Sequence, residues 1–227
     1  MPLTRQIGEK MEAYKREFIQ FLESAGVLKF GDFTAKSGRK IPYFINAGEI
    51  KTGDQIAKLG EFYAKSYLEK VGNKRCVLYG PAYKGISIAV ATSIGLSKSG
   101  LDVPFFFNRK EAKDHGEGGV FVGYVPKGED IVIVEDVITA GTAIRESMEI
   151  LSGIEGSRVA ATFVMVDRGE KGKGEKSAMA EVGEEFGFPV YSVVDVHDII
   201  EYLDEKPESR EDVARIRAYL EIWGAKA

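Results

Sequence analysis

Residues 131–134, Ile131, Val132, Ile133 and Val134, are an unbroken β-branched run. A run with no polar face fits a strand buried on both sides, as in a parallel sheet covered by helices. Glu135 and Asp136 follow at once, where such a strand should end. A short turn holding Thr139 and Gly141 comes next, and over 143–151 the apolar residues Ile144, Met148 and Leu151 fall at helical spacing. Strand, turn and helix make half of a βαβ unit. The connecting loop lies at the carboxyl edge of the sheet, where open α/β folds bind ligands. The chain is therefore expected to be α/β.

Each residue of that turn has a chemistry. Gly141 lets the backbone approach a ligand or take positive φ. Thr139 and Thr142 supply hydroxyls, and the free N–H groups at the helix start favour an anion, most simply a phosphate. Glu135 and Asp136 would repel a phosphate but accept hydrogen bonds from sugar hydroxyls. An acid pair beside an anion cradle suggests a sugar phosphate. The plainer alternative is that Asp136 and Thr142 only cap a helix.

The 227 residues suffice for one domain with a sizeable core. A net charge of −4 offers no general basic field for nucleic acid or a membrane surface. The single cysteine, Cys76, excludes an internal disulfide framework. No apolar run approaches the roughly 20 residues of a membrane-spanning helix. The first residues lack the apolar core of a signal peptide, so the cytoplasm is the expected location. Two histidines and one cysteine, far apart, do not suit a structural zinc site.

In chain order, 11–22 reads as an amphipathic helix, and 28–39 with 42–46 as a hairpin that could form a lid. Within it, Lys36 and Phe44 read by themselves as a solvated lysine and a core aromatic. Helix 55–70 leads to a short buried strand, 76–79, and a glycine-flanked loop with Tyr83 and Lys84 before another apolar helix. That loop suits an anion, though an ordinary turn with a solvated lysine would look the same. Strand 103–107 is followed by 108–119, with Arg109, Lys110, Lys113, His115 and three glycines but almost nothing apolar. Such a segment cannot bury itself; it reads as a mobile loop, either a charged hairpin tip or a cationic lid over a polyanion. A returning strand follows at 121–125. Strand 158–166 is followed by Arg168 at the carboxyl edge, placed to grip a carboxylate or to pair with Asp167 or Glu170 on the surface. Helix 178–186, strand 190–194, helix 197–203 and helix 211–223 complete the chain, and His197 reads as structural.

The string 131–143 resembles the phosphoribosyl-pyrophosphate (PRPP) binding motif of type I phosphoribosyltransferases. The 108–119 string is very close to the catalytic loop of one branch, the orotate phosphoribosyltransferases. Lys36 beside Ser37, Gly38 and Arg39, and an aromatic before Asn46, Ala47 and Gly48, resemble the hood of that branch. The resemblance runs nearly end to end. It implies the type I phosphoribosyltransferase fold: a central parallel sheet of five strands flanked by helices, with a small hood subdomain. It implies that Glu135 and Asp136 hold the ribose hydroxyls. Thr139, Ala140, Gly141, Thr142 and Ala143 would hold the 5-phosphate, and Val137 and Ile138 would also belong to the PRPP site. Tyr83 and Lys84 belong to the pyrophosphate loop, with a non-proline cis peptide at Ala82–Tyr83. Lys36, Phe44, Ile45, Thr139 and Arg168 would bind orotate; Ile45 stands where some relatives carry a second aromatic. Lys113, His115, Arg109, Lys110 and Asp136 form the catalytic set, Lys113 as the main transition-state contact and His115 as a helper. Lys36 would also touch PRPP. Mg²⁺ would travel with PRPP near Glu135 and Asp136, with no direct protein ligand assigned. The implied reaction joins orotate and PRPP to give orotidine 5-monophosphate and pyrophosphate, a step towards UMP. The implied assembly is a homodimer whose lids reach across to the neighbouring site. A purine phosphoribosyltransferase and a non-catalytic PRPP-sensing regulator are the alternatives.

Overall fold

A computed structural model describes residues 11–35, 38–113, 119–138, 141–172 and 174–226, the side chains of 112 and 113 aside. Helix α1 (Ala13–Ser24) buries Phe18, Ile19, Phe21 and Leu22, the apolar stripe of its sequence. It leads into an antiparallel hairpin, β1 (Leu28–Thr34) and β2 (Lys40–Ile45). Helix α2 (Gly53–Lys70) opens with a capping box of Thr52 and Gln55. Then come β3 (Val77–Gly80), α3 (Lys84–Lys98), β4 (Phe105–Lys113) and β5 (Gly119–Gly123). The second half holds β6 (Asp130–Val134), α4 (Thr142–Leu151), β7 (Arg158–Asp167), α5 (Ala178–Phe186), β8 (Val190–Asp195), α6 (Val196–Asp204) and α7 (Arg210–Trp223).

The main sheet has the strand order β5-β4-β3-β6-β7-β8. Strands β4, β3, β6, β7 and β8 are mutually parallel, as expected. The sixth strand, β5, is an antiparallel edge added through a hairpin with β4. The β-branched run behaves as its composition demands. Ile131 and Ile133 pack into one apolar cluster with Ile144, Leu151, Val182 and Phe188, while Val132 and Val134 pack into another with Leu59, Leu78 and Ile199. Alternate residues thus bury against helices on opposite faces.

One expectation needs correction. The composition of 108–113 predicts a loop, yet β4 runs on to Lys113. Asn108 pairs with Phe121 across to β5, so backbone pairing carries a stretch whose side chains have no apolar pattern.

Chain order and strand order diverge between β3 and β6. From β3 the chain moves outward to β4, then returns to place β6 on the other side of β3. This is the switch point at which open α/β sheets leave a crevice beyond the carboxyl ends of the strands. The loops after β3 and β6 flank it. The C-terminal residues are clasped to the loop after β7. Lys171 N–H donates to the Trp223 carbonyl at 2.9 Å, Ala225 N–H to Gly169 at 2.8 Å and Lys226 N–H to Glu175 at 2.9 Å.

Candidate active site

The end of β6 is held from beneath. Tyr63 of α2 donates its buried hydroxyl to the Glu135 carbonyl at 2.7 Å. Glu135 Oε1 accepts the Asp136 N–H at 2.9 Å, and Asp136 Oδ1 accepts the Val137 N–H at 2.9 Å. Both acids are buried. Burial, with the neighbouring Asp136 carboxylate, pushes Glu135 up to about 8 despite the Asp136 N–H it accepts. Across the crevice, Lys84 Nζ donates to Asp136 Oδ2 at 2.7 Å.

Asp136 therefore spends its oxygens on Val137 and Lys84 and does not cap α4. The N-cap is Gly141, at φ +72°, which has no side chain to offer. A Cβ there would lie 2.7 Å from Val182 Cγ2, so glycine is required on two counts. Val137, Ile138, Gly141, Thr142, Ala143 and Glu146 line a cavity of about 320 Å³ over this helix start. Thr139 and Ala140 lie outside the described residues. The arrangement is an uncapped helix start beside an acid pair, which suits a phosphate on a hydroxyl-bearing sugar.

The loop after β3 is equally tight. A Cβ on Gly80 would sit 2.1 Å from the Gly85 carbonyl oxygen, so strand end and helix start touch. The Ala82–Tyr83 peptide is cis, as the resemblance implied. Tyr83 is 69 % exposed, and Lys110 Nζ stands 4.7 Å above its ring. Arg109 does not reach towards this loop. Its guanidinium donates to the carbonyls of Gly119 (3.1 Å) and Phe121 (3.0 Å), stapling β4 to β5. The Lys113 side chain and all of Lys36 and His115 lie outside the described residues.

The hairpin β1–β2 presents Phe44 outward, 39 % exposed, stacked on Phe33 with ring centroids 5.6 Å apart. Ile45 instead packs against the core. Phe33 carried no signal in the sequence, because its meeting with Phe44 depends on the strand register. Arg168 is mostly buried. Its guanidinium lies 2.6 Å from Glu170 Oε1 and 5.1 Å from the Tyr43 ring. Burial opposes its charge, but Tyr43 and Glu170 hold its pKa above the ordinary value. Arg39 donates to the other Glu170 oxygen at 2.8 Å and covers the Trp223 ring at 4.8 Å. Of the two surface pairings open to Arg168 in the sequence, the structure selects Glu170 and buries it. Asp167 accepts the Gly169 N–H instead, and His197 is an exposed residue at the start of α6.

Among the described residues, no group of three or more His, Cys, Asp or Glu side chains gathers to hold a metal. The two carboxylates offer only oxygen, which fits a hard divalent cation that brings most of its ligands on a polyphosphate.

Residues 46–191 match the phosphoribosyl transferase domain, and the chain belongs to the phosphoribosyltransferase family. It is 51 % identical to an orotate phosphoribosyltransferase of Shigella flexneri over 215 residues, 94 % of this chain and all of the relative. It is 48 % identical to that of Pseudomonas fluorescens over the same shares. The crystal structure of the Francisella tularensis orotate phosphoribosyltransferase superposes with a TM-score of 0.82 at 38 % identity, covering 92 % of this chain and all of that one. Within the family, the chain therefore stands with the orotate phosphoribosyltransferases.

Proposed function

We propose that the protein transfers the phosphoribosyl group of PRPP to N1 of orotate, releasing pyrophosphate. The observation that carries this reading is the buried pair Glu135 and Asp136 facing Lys84 across the switch-point crevice, beside the uncapped start of α4. One edge thus offers acceptors for ribose hydroxyls, donors for a 5-phosphate and a cation for pyrophosphate.

Breaking the bond from C1 to pyrophosphate builds positive charge on the ribose and negative charge on the leaving group. Lys84, with Lys110 and Lys113 on the β4 arm and His115 beyond it, supplies positive charge to the pyrophosphate. Glu135 and Asp136 orient the ribose through its hydroxyls. Phe44 and Phe33 offer a stacking face for the base, while Arg168 and Lys36 match its carboxylate and ring oxygens. Orotate can attack as its N1 anion, so no strong protein base is needed. Glu135 and Asp136 would be the residues to hold a Mg²⁺ brought in with PRPP, which would supply further neutralisation of the leaving group's charge.

The remaining assignments belong to the same reading: a hood built on β1 and β2, a cytoplasmic enzyme, and a homodimer in which the 108–119 arm serves the neighbouring subunit. A turnover assay with PRPP and either orotate, uracil or hypoxanthine tests the reaction. Orotidine 5-monophosphate and pyrophosphate should form with Mg²⁺ present. Turnover with hypoxanthine alone would move the protein to a purine branch, and none with any base would make it a PRPP-binding protein.

A further inference from the structure

Asn108 sits at the root of the β4 arm, 8 % exposed. Its Oδ1 accepts two hydrogen bonds, from the Tyr79 hydroxyl at 2.8 Å and from the Ala82 N–H at 3.0 Å. The amide orientation is not arbitrary. A backbone N–H can only donate, so the oxygen must face Ala82. Its Nδ2 donates to the Arg109 carbonyl at 3.3 Å.

Tyr79 is the penultimate residue of β3, Ala82 lies in the turn after the strand, and Asn108 belongs to the neighbouring strand. Alternate residues of β4 share one face. On that face Phe106 packs its ring 4.9 Å from Tyr79, Asn108 holds Ala82, and Lys110 covers Tyr83. Three residues of the arm thus run alongside the turn leading to Lys84. Asn108 supplies the one bond in this series that grips the turn by its backbone. Nothing in the residue type calls for this. A buried strand position would more simply hold an apolar side chain, and an amide there is costly unless its bonds are made.

We infer that Asn108 is a positioning residue for the pyrophosphate turn, tying the cationic arm to it. The inference rests on the reaction assigned above, in which that turn binds the leaving group. Removing the acceptor frees the Ala82 N–H and loosens the turn that carries Lys84. The base end of the crevice is untouched.

The experiment compares wild type with Asn108→Leu, which keeps the bulk and removes the acceptor. PRPP and orotate are each varied, and amide hydrogen exchange is followed at Ala82. The expected result is a KM for PRPP raised roughly tenfold, the worth of one such hydrogen bond, with KM for orotate changed by less than about twofold. Ala82 should exchange slowly in wild type and fast in the variant. Tyr79→Phe keeps the acceptor for Ala82 and should leave KM for PRPP within about twofold. If Asn108→Leu does not fold, Asn108→Ala carries the same expectation. Equal rises in both KM values, fast exchange of Ala82 in wild type, or a Tyr79→Phe enzyme as impaired as Asn108→Leu would overturn the inference. If wild type turns over no PRPP with orotate, the assigned reaction fails instead. Binding of inorganic pyrophosphate then decides, since Asn108→Leu must still weaken it by the same factor.

Discussion

Lys84 reaches across the switch point to Asp136, Nζ to Oδ2 at 2.7 Å, and joins the two loops that open the crevice. The pair is half in solvent on the lysine side, so it adds little to stability. In the proposed reaction this one contact would be exchanged for contacts to ribose and pyrophosphate. Asp136→Asn should therefore lower kcat/KM for PRPP by roughly a hundredfold while leaving Tm nearly unchanged, because a charged acceptor is lost at a ligand edge. Steady-state kinetics with thermal melts check this. Unchanged PRPP use would make the acid pair structural only.

Glu135 predicts a pH dependence. An unfolded glutamate gives up its proton near 4.5, whereas the folded chain keeps it until about 8. Between those values the folded state holds the extra proton, so its stability falls as pH rises through the window and levels off above it. Glu135→Gln should raise Tm relative to wild type, with a gain that grows from pH 5 to pH 8. Ribose hydroxyls donate to the ionised form, so PRPP binding at pH 7 should release a proton from wild type and less from Glu135→Gln. Calorimetry in buffers of different ionisation heat reads the difference directly.

Uracil lacks the carboxylate that Arg168 and Lys36 are proposed to hold. Binding it would offer those cations no carboxylate from the base, and kcat/KM should fall by a factor of about a thousand or more relative to orotate. Comparable values for the two bases would sink the proposed base specificity.

The aromatic pair on the hairpin gives a smaller effect. Phe44→Ala should raise KM for orotate by up to roughly tenfold, the worth of one stacking partner, with little change in Tm because the ring is exposed. An unchanged KM would remove Phe44 from the base site.

The shared-arm assembly predicts complementation. A Lys113→Ala homodimer and an Asp136→Asn homodimer should each be poor enzymes. Subunit exchange between them makes mixed dimers in which one site has both an intact pocket and an intact arm. Activity should return to about a quarter of wild type if pairing is random. Tagged subunits that exchange without restoring activity would show that each arm serves its own subunit.

Much of this site is legible in the sequence because its signals are local. The 131–134 run, the acids that follow it and the glycine of the next turn need no partner to be read. The rest depends on register. Asn108 meets Ala82 from 26 positions away, and Arg39 meets Glu170 from 131. The sequence places the end of strand β4 too early because 108–113 looks like solvated loop, and only its pairing with β5 accounts for the backbone. Arg168 reads as a surface cation, yet Tyr43 from β2 covers it.

The clasp between residues 223–226 and 169–175 ties the far end of the chain to the residues beneath the proposed base site. Trp223 lies over Arg39, which shares Glu170 with Arg168, and the next residue bridges back to Glu170 through the backbone. A cut after Leu220 would remove no residue assigned to ligand, yet it would unbutton the support under the arginine proposed to read the base. If Arg168 reads the base as proposed, such a cut should raise KM for orotate more than KM for PRPP.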